Sequence, residues 1–331
     1  MDKTINMPSK DETKSEYQAA TAGTALRRAD AYGRLQISGS DHLSFLHRMT
    51  TNDFNSLGHG YGIEAVFTEN RGRILDCGTF YHRDGNTLMM LSPSARATIP
   101  AWLDRYIFTE RIDLLDVTDK TAMFELIGPQ AVSLVRQVLG SNIAGLQPHQ
   151  LLTVAPSDDL WLCALPWAGH SGLRAIGPTI AIAELQQLFF EAGAHIISED
   201  VWEVLRVESG IPLYGSELNE EHNPWEAGLQ RTIHMDKGCY IGQEVIARLD
   251  TYDKIKQHLI GLKFTEESPP TPGTELKSDG HSAGSITSSA LSPTFGPIAL
   301  AYVRRSYCEP GTALQTADGA HSGQVSPLPF R

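Results

Sequence analysis

The stretch KGCYIGQEVIAR holds several chemically capable side chains close together, namely Lys237, Cys239, Tyr240, Gln243, Glu244 and Arg248. A cation near a thiol favours the thiolate and lowers the thiol pKa, so Lys237 could activate Cys239. Gln243 offers an acceptor, and Arg248 supplies a planar donor fork for a carboxylate. The same residues also fit a turn that enters a helix, with Glu244 and Arg248 as an i,i+4 pair. These residues alone do not distinguish a reactive thiol site from a structural turn.

Glu208 in RVESGIP is a second candidate, near the end of the mostly apolar segment VWEVLRVESG. A carboxylate buried without partners is costly, so Glu208 is either solvated at a helix end or paired. Its two oxygens could accept N–H groups from a nitrogen-rich heterocycle, a geometry that matches the 2-amino-4-oxo edge of a pterin. These two alternatives also stay open.

The remaining reactive residue types form no recognisable site. The cysteines are widely spaced, at Cys77, Cys163, Cys239 and Cys308, with no C-x-x-C pair. We expect reduced thiols in the cytoplasm, with all but Cys239 structural. The sequence contains no H-E-x-x-H motif, and its serines have no arranged catalytic partner, so we expect neither a metal bound by protein ligands nor a serine hydrolase.

Charge and hydropathy narrow the classes of partner. The formal net charge is −12, whereas a nucleic-acid or anionic-membrane surface is usually basic. No run of about 20 apolar residues occurs, and the first stretch has no apolar core of a secretory signal. We therefore expect neither a nucleic acid nor a membrane as a partner, a cytoplasmic protein, and a mobile segment over residues 1–22.

The pattern of elements predicts an α+β chain followed by a small all-β unit. A helix begins near Ser40 or Asp41, and the turn signals NRG and RDG separate three strands between Ile63 and Leu91. Strands and helices recur after residue 141, including a helix with Asp200 as its N-cap. Frequent Gly and Pro after Asp253 indicate a β-barrel. We predict domains over 23–140, 141–253 and 254–331.

The motif KGCYIGQE followed by Arg248 resembles the signature of the YgfZ-type folate-binding proteins, which include mitochondrial and plastid iron–sulfur assembly factors. The continuation ARLDTYDKIKQHLIGLKF is similar to plant and cyanobacterial-type members. Further blocks resemble the same superfamily, namely FLHRMTTNDFNSLGHG, FTENRGRILD, RVESGIP, NPWEAGL and GSITSSALSPTFGPIALAYV. That superfamily includes the glycine cleavage system T-protein, an aminomethyltransferase.

The resemblance implies an α+β fold of three domains in a ring, with tetrahydrofolate in a central channel and a C-terminal barrel. It implies that Glu208 anchors the pterin and that Arg248 or Lys237 meets the glutamate tail. Tyr240 and Gln243 join them as folate-binding candidates. Cys239, with Lys237 beside it, would be the reactive thiol of a factor that supports maturation or repair of iron–sulfur enzymes. Reduced folate and iron–sulfur client proteins or cluster carriers are then the expected partners.

Two other functions fit the same resemblance. The T-protein uses an aspartate in the block that corresponds to GRILDCG, where Asp76 is the available acid and Leu75 replaces a neighbouring one. In a folate-dependent aminomethyltransferase, Asp76 would accept a hydrogen bond from the nucleophilic folate nitrogen. A third alternative is an interaction module that keeps the fold without a ligand.

Overall fold

The computed structural model describes residues 10–83, 85–141, 143–154, 157–165 and 172–331. The helices of this part of the chain are α1 (Lys10–Ala22), α2 (His42–Met49), α3 (Thr98–Asp104), α4 (Ala131–Leu139), α5 (Thr179–Glu191), α6 (Glu199–Ser209) and α7 (Gln243–Thr251). The strands before the barrel are β1 (Ala25–Arg28), β2 (Gly33–Ser38), β3 (Gly62–Thr68), β4 (Ile74–Arg83), β5 (Asn86–Leu91), β6 (Asp113–Asp116), β7 (Thr121–Ile127), β8 (Leu151–Thr153), β9 (Trp161–Leu165), β10 (Gly172–Pro178) and β11 (His195–Ile196).

The first sheet is antiparallel and has the order β3-β4-β5-β2-β6. Short turns join β3, β4 and β5, as the turn signals predict. Helices α2 and α3 cover one face, and Phe45, Phe67, Phe80 and Leu103 are part of the apolar core between them. This sheet with its two helices is called the first unit below.

The second sheet has the order β11-β1-β7-β10-β9-β8. Strands β1 and β7 precede residue 140 but pair with strands beyond it, so the predicted boundary at that residue falls within one sheet. Helices α4 and α5 pack on this sheet around Phe124, Leu162 and Phe189. This sheet with α1, α4, α5 and α6 is called the second unit. The chain therefore inserts the first unit between two strands of the second.

The C-terminal strands close into an antiparallel barrel, which confirms the predicted all-β unit. They are β12 (Gln257–Phe264), β13 (Glu275–Ser278), β14 (His281–Ser292), β15 (Gly296–Arg304), β16 (Ala313–Thr316) and β17 (Ser322–Ser326), in the order β12-β15-β14-β13-β16-β17. Alternate residues point inward and fill the interior, among them Leu262, Ile286 and Val303. Closure leaves no unpaired edge strand in this unit.

Helix α1 corrects the prediction of a mobile segment for residues 10–22, and residues 1–9 of that predicted segment lie outside the described residues. Its inner face packs on α6, where Tyr17, only 6% exposed, and Ala20 contact the apolar residues of that helix. The predicted N-cap of α6 is also wrong, because the cap is Ser198, whose hydroxyl accepts from the Val201 N–H, rather than Asp200. Within the described part of the chain, no helix is long and apolar enough to cross a membrane.

Arg206 joins the second unit to the barrel. Its side chain is completely buried on α6 and donates to the carboxylates of Glu203 and Glu217. It also donates to the Ile211 carbonyl oxygen and, over 2.6 Å, to the hydroxyl of Ser288 on β14. One guanidinium thus holds the end of α6, the loop after it and the barrel in a fixed relation.

Candidate functional site

A cavity of about 440 Å³ lies where the three units meet. Its volume falls within the range of small-molecule sites, about 300–1,000 Å³. The first unit contributes Cys77 of β4, the second contributes Glu125 of β7 and Arg174 of β10, and the barrel contributes Leu259. Residues 209–214, at the end of α6 and just after it, line it as well. The three units thus meet around one central cavity, as the predicted three-domain ring implies.

One wall carries a buried ion-pair cluster on the second sheet. Arg174 Nη2 lies 2.6 Å from Glu125 Oε1, and Arg27 Nη1 lies 3.1 Å from Glu125 Oε2. Burial raises the pKa of Glu125, but the two guanidinium groups outweigh burial and hold that pKa below its usual range. Arg174 also donates to the hydroxyl of Tyr81 over 3.1 Å. The cluster presents fixed charge at this wall of the cavity.

A second charged group lies at the solvent side of the cavity. Arg231 Nε donates to Glu64 Oε2 over 2.9 Å, and the Arg231 side chain is 62% exposed. Nε2 of His149 is 3.9 Å from Glu64 Oε1. Burial lowers the pKa of His149 to about 4, with Arg174 and Arg231 adding to burial against the opposing Glu64. The imidazole is therefore neutral near pH 7.

Sequence reasoning missed these cavity residues, although some signal was present. Glu125 in AMFELIG and Arg174 in GLRAIG are single charges within apolar strands, a pattern that indicates a partner because a buried charge needs one. Glu64, His149 and Arg231 come from separate chain segments and carry no local signature. Their proximity is a product of the tertiary fold.

Cys77 lines the cavity, whereas the sequence analysis expected it to be structural. Burial raises the pKa of its thiol well above the usual value, and the nearby Glu64 and Asp76 carboxylates raise it further. The thiol is therefore protonated at neutral pH. Cys163, also expected to be structural, is buried and donates to the Tyr81 hydroxyl over 3.2 Å.

Asp76 lies behind the cavity wall rather than on its surface. Its Oδ1 accepts from the Ser92 hydroxyl over 2.7 Å and from the Cys77 N–H over 2.9 Å, and its Oδ2 accepts from the Ser92 N–H over 3.0 Å. Burial raises the Asp76 pKa to about 6 against these three bonds. Ser92 does line the cavity, so Asp76 reaches it only through that hydroxyl.

Glu208 lies at the junction of α1, α6 and the barrel. Its carboxylate accepts from the Tyr17 hydroxyl over 2.9 Å and from the Ser292 hydroxyl over 2.5 Å. Tyr17 also lies 2.8 Å from the Thr294 hydroxyl. Burial raises the Glu208 pKa, and the bonds from Ser292 and Tyr17 oppose it. The next two residues line the cavity, but the Glu208 side chain is directed at protein partners.

Lys237 belongs to the packing between the motif and the first unit. Its buried ammonium donates to the carbonyl oxygens of His47, Thr50 and Asn52, at the end of α2 and just beyond it. It also lies 4.9 Å from the ring centroid of Tyr240. Burial lowers the Lys237 pKa to about 7, partly opposed by Asp53. This side chain thus satisfies three carbonyl oxygens at a helix end.

The rest of the motif forms a turn and a surface helix. Gly242 has a φ of +85°, and a Cβ there would meet the Glu69 carbonyl oxygen at 2.7 Å, so glycine is required. Cys239 and Arg248 are exposed, and Gln243 is partly buried at the start of α7. Burial raises the pKa of Tyr240, which packs beside Trp225, to about 12.

The structure therefore separates the seven predicted site residues. Lys237, Tyr240, Gln243 and Arg248 lie with Cys239 around the motif, Asp76 is behind the cavity wall, and Glu208 is at the α1–barrel junction. None of the seven is among the residues that line the cavity. Within the described ranges, no group of three or more His, Cys, Asp or Glu side chains could hold a metal ion.

Comparison with known families agrees with this architecture. Residues 5–237 match the GCVT N-terminal domain, and residues 257–330 match the glycine cleavage T-protein C-terminal barrel domain. The chain belongs to the glycine cleavage T-protein family. Membership of that superfamily is confirmed, and its YgfZ-type branch stays a prediction.

Individual proteins are similar over nearly the whole chain. A chloroplastic protein of Arabidopsis thaliana, provisionally named a transferase, is 31% identical over 326 residues, which cover 97% of this chain and 74% of that protein. An aminomethyltransferase of Prosthecochloris aestuarii is 28% identical over 328 residues, covering 96% of this chain and 90% of that protein. The structure of the glycine cleavage system aminomethyltransferase T of Bartonella henselae has the same fold, with a TM-score of 0.88, 20% identity, and coverage of 98% and 91% of the two chains.

Proposed function

We propose that this protein binds a reduced folate in the central cavity and transfers a one-carbon unit from an amine carrier to tetrahydrofolate. The observation that supports this is the cavity of about 440 Å³ at the junction of the three units, with charges of both signs on its walls. Relatives named aminomethyltransferase align over 96% of the chain. This function is the alternative that the resemblance left open, and the comparisons favour it over the iron–sulfur role.

The cavity offers suitable chemistry for each part of a folate. Tyr214 and Trp202 present aromatic surface for a flat pterin. Arg231, largely exposed, provides a cation for the anionic glutamate tail. Ser92 donates its hydroxyl hydrogen to Asp76, which leaves its oxygen lone pairs available to an N–H of the ligand. In this proposal Asp76 is a positioning residue that acts through Ser92.

Two measurements test the proposal. Calorimetric titration of tetrahydrofolate into the protein under reducing conditions should give saturable binding. Incubation with an aminomethyl-lipoyl carrier and tetrahydrofolate should release ammonia and form methylenetetrahydrofolate, and Asp76→Ala should lose this product while it still binds folate. An absence of reduced-folate binding would overturn the proposal and favour the interaction module.

The pterin-anchoring role of Glu208 stays a proposal that needs a rearrangement. A pterin edge on this carboxylate would have to replace the hydrogen bonds from Tyr17 and Ser292. Glu208→Ala should then weaken tetrahydrofolate binding in the same titration. Unchanged affinity would assign Glu208 to the junction between α1 and the barrel.

An exposed thiol at Cys239 supports the second candidate function, a role in maturation or repair of iron–sulfur enzymes. An accessible thiol could act by transient ligation or by thiol exchange. Cys239→Ser should then spare folate binding and lower the activity of iron–sulfur enzymes in cells. Normal activity of those enzymes in that strain would remove this role.

A further inference from the structure

His149 combines several unusual features on the wall of the central cavity. The residue is 7% exposed, and its Nδ1 is buried without a hydrogen-bond partner among the described residues. Its backbone has a φ of +59°, in the left-handed region that non-glycine residues seldom adopt. The residue is held there by its N–H, which donates to the Ala164 carbonyl oxygen over 2.8 Å.

Both features are energetically unfavourable in the folded protein. A buried nitrogen without a partner loses its hydrogen bond to water, and a left-handed backbone is strained in a residue with a Cβ. Buried polar atoms normally find partners, and strained residues concentrate at binding sites. Their coincidence at one cavity residue indicates a missing hydrogen-bond donor, which a bound molecule could supply once a turn of the ring brings Nδ1 to the cavity surface.

The neighbouring carboxylate decides which ring nitrogen is the acceptor. Nε2 is 3.9 Å from Glu64 Oε1, so the field of that carboxylate favours the tautomer with hydrogen on Nε2. The Nδ1 lone pair is then free to accept. Because the imidazole is neutral near pH 7, it presents an acceptor and not a second donor. A ligand that fits this part of the cavity therefore carries an N–H group that can donate to Nδ1 of His149.

We propose that Nδ1 of His149 accepts a hydrogen bond from a ring N–H of a reduced pterin, and thereby selects reduced over oxidised folate. This inference rests on the proposed folate function. Tetrahydrofolate carries hydrogen on ring nitrogens N5 and N8, dihydrofolate on N8 alone, and folic acid on neither. An oxidised ring would direct a nitrogen lone pair at the lone pair of His149, which is repulsive.

The test compares these three folates by calorimetric titration into the full chain and two variants. His149→Gly removes the ring and relaxes the left-handed backbone. His149→Asn is the matched control, because asparagine tolerates that backbone and places an amide oxygen near the position of Nδ1. Circular dichroism and thermal unfolding report whether each variant is folded.

We expect the wild type to prefer tetrahydrofolate over folic acid. His149→Gly should lose about tenfold in tetrahydrofolate affinity and should bind folic acid more tightly because the repulsion is removed, and His149→Asn should keep most of the preference. The affinity for dihydrofolate then shows which nitrogen is the donor. A loss of dihydrofolate affinity in His149→Gly indicates N8, and an unchanged or higher affinity indicates N5. An equal loss for all three folates, or no loss in His149→Gly, would overturn the inference while the folate function stands. A wild type that binds no folate would overturn both.

Discussion

Consecutive side chains of β4 point to opposite faces, and this alternation decides which group can meet a ligand. Cys77 and Thr79 share the face that lines the cavity, whereas Asp76 points to the other side and bonds to Ser92. A ligand therefore meets a protonated thiol first and the carboxylate only through a serine hydroxyl. This ordering makes Asp76 a residue that orients its neighbours.

Asp76 should make stability depend on pH in a particular direction. Its pKa is raised from 3.8 to about 6, so its contribution to stability is complete below about pH 4 and is lost as the pH rises through 6. From pH 4 to pH 7 the wild type should lose about 2 kcal/mol relative to Asp76→Asn, whose amide does not titrate. Denaturant unfolding of both proteins at the two pH values measures this. A pH-independent difference between them would contradict it.

Lys237 should be a stability residue. Replacing it with Met removes the donor shared by three carbonyl oxygens at and beyond the end of α2, so the free energy of unfolding should fall by about 3 kcal/mol. Thermal and denaturant unfolding measure this loss. The exposed Cys239→Ser, two residues away, should stay within about 0.5 kcal/mol of the wild type. Equal stability of Lys237→Met and Cys239→Ser would refute the assignment.

At the scale of elements, α1 is a packed helix that its sequence pattern did not predict. The helix is rich in polar residues and has no pronounced apolar stripe, so the prediction of a mobile segment followed the pattern. What fixes it is tertiary, namely the apolar contact with α6 and the hydrogen bonds of Tyr17 with Glu208 and Thr294. Such contacts become visible only when both partners are in place.

Tyr17→Phe tests that attachment. The change keeps the apolar ring but removes the hydroxyl that donates to Glu208, so α1 should lose about 1–2 kcal/mol of local stability. Amide hydrogen exchange within α1 should become faster, while exchange in the barrel stays the same. Tyr252→Phe, at an exposed tyrosine, should change neither. Unaltered exchange in Tyr17→Phe would show that packing alone holds the helix.

Much of the secondary structure followed from local pattern. The strands β3, β4 and β5 combine β-branched and aromatic residues with glycine-containing turns, and the barrel strands alternate around frequent glycine and proline. The cavity could not be predicted in this way. Glu64, His149 and Arg231 lie far apart in sequence and meet only through the packing of two sheets and a loop. Motif reasoning selected Lys237 instead, but the ammonium of Lys237 donates its hydrogen bonds to backbone carbonyl oxygens.

At the scale of the whole molecule, Arg206 and Glu217 form the buried connection between the second unit and the barrel. Both side chains are fully buried, and their ion pair spans 3.1 Å. Removing one partner of such a pair leaves the other charge buried and unpaired, which typically costs about 3–5 kcal/mol. The cost should appear as weaker docking of the barrel, because Ser288 of β14 shares the same network.

Arg206→Lys should show this loss. Lysine cannot reproduce the planar fork that bonds Glu203, Glu217 and Ser288 together, so calorimetric unfolding should shift to lower temperature and separate into two transitions. Arg248→Lys, at an exposed arginine, is the control and should unfold like the wild type. A single unshifted transition in Arg206→Lys would show that the barrel is held by its apolar contacts.

The insertion of the first unit between β1 and β7 also bears on how the chain is made. Strand β1 pairs with β7, with Ala25 opposite Ile127. During synthesis β1 can therefore pair with β7 only after about a hundred further residues have left the ribosome. The inserted segment can fold earlier, because its own ends pair with each other as β2 and β6, where Leu35 is opposite Asp116. On a ribosome the nested unit can therefore mature first, with the surrounding sheet closing over it afterwards. The same closeness of ends makes residues 33–117 the natural segment to express alone or to transplant.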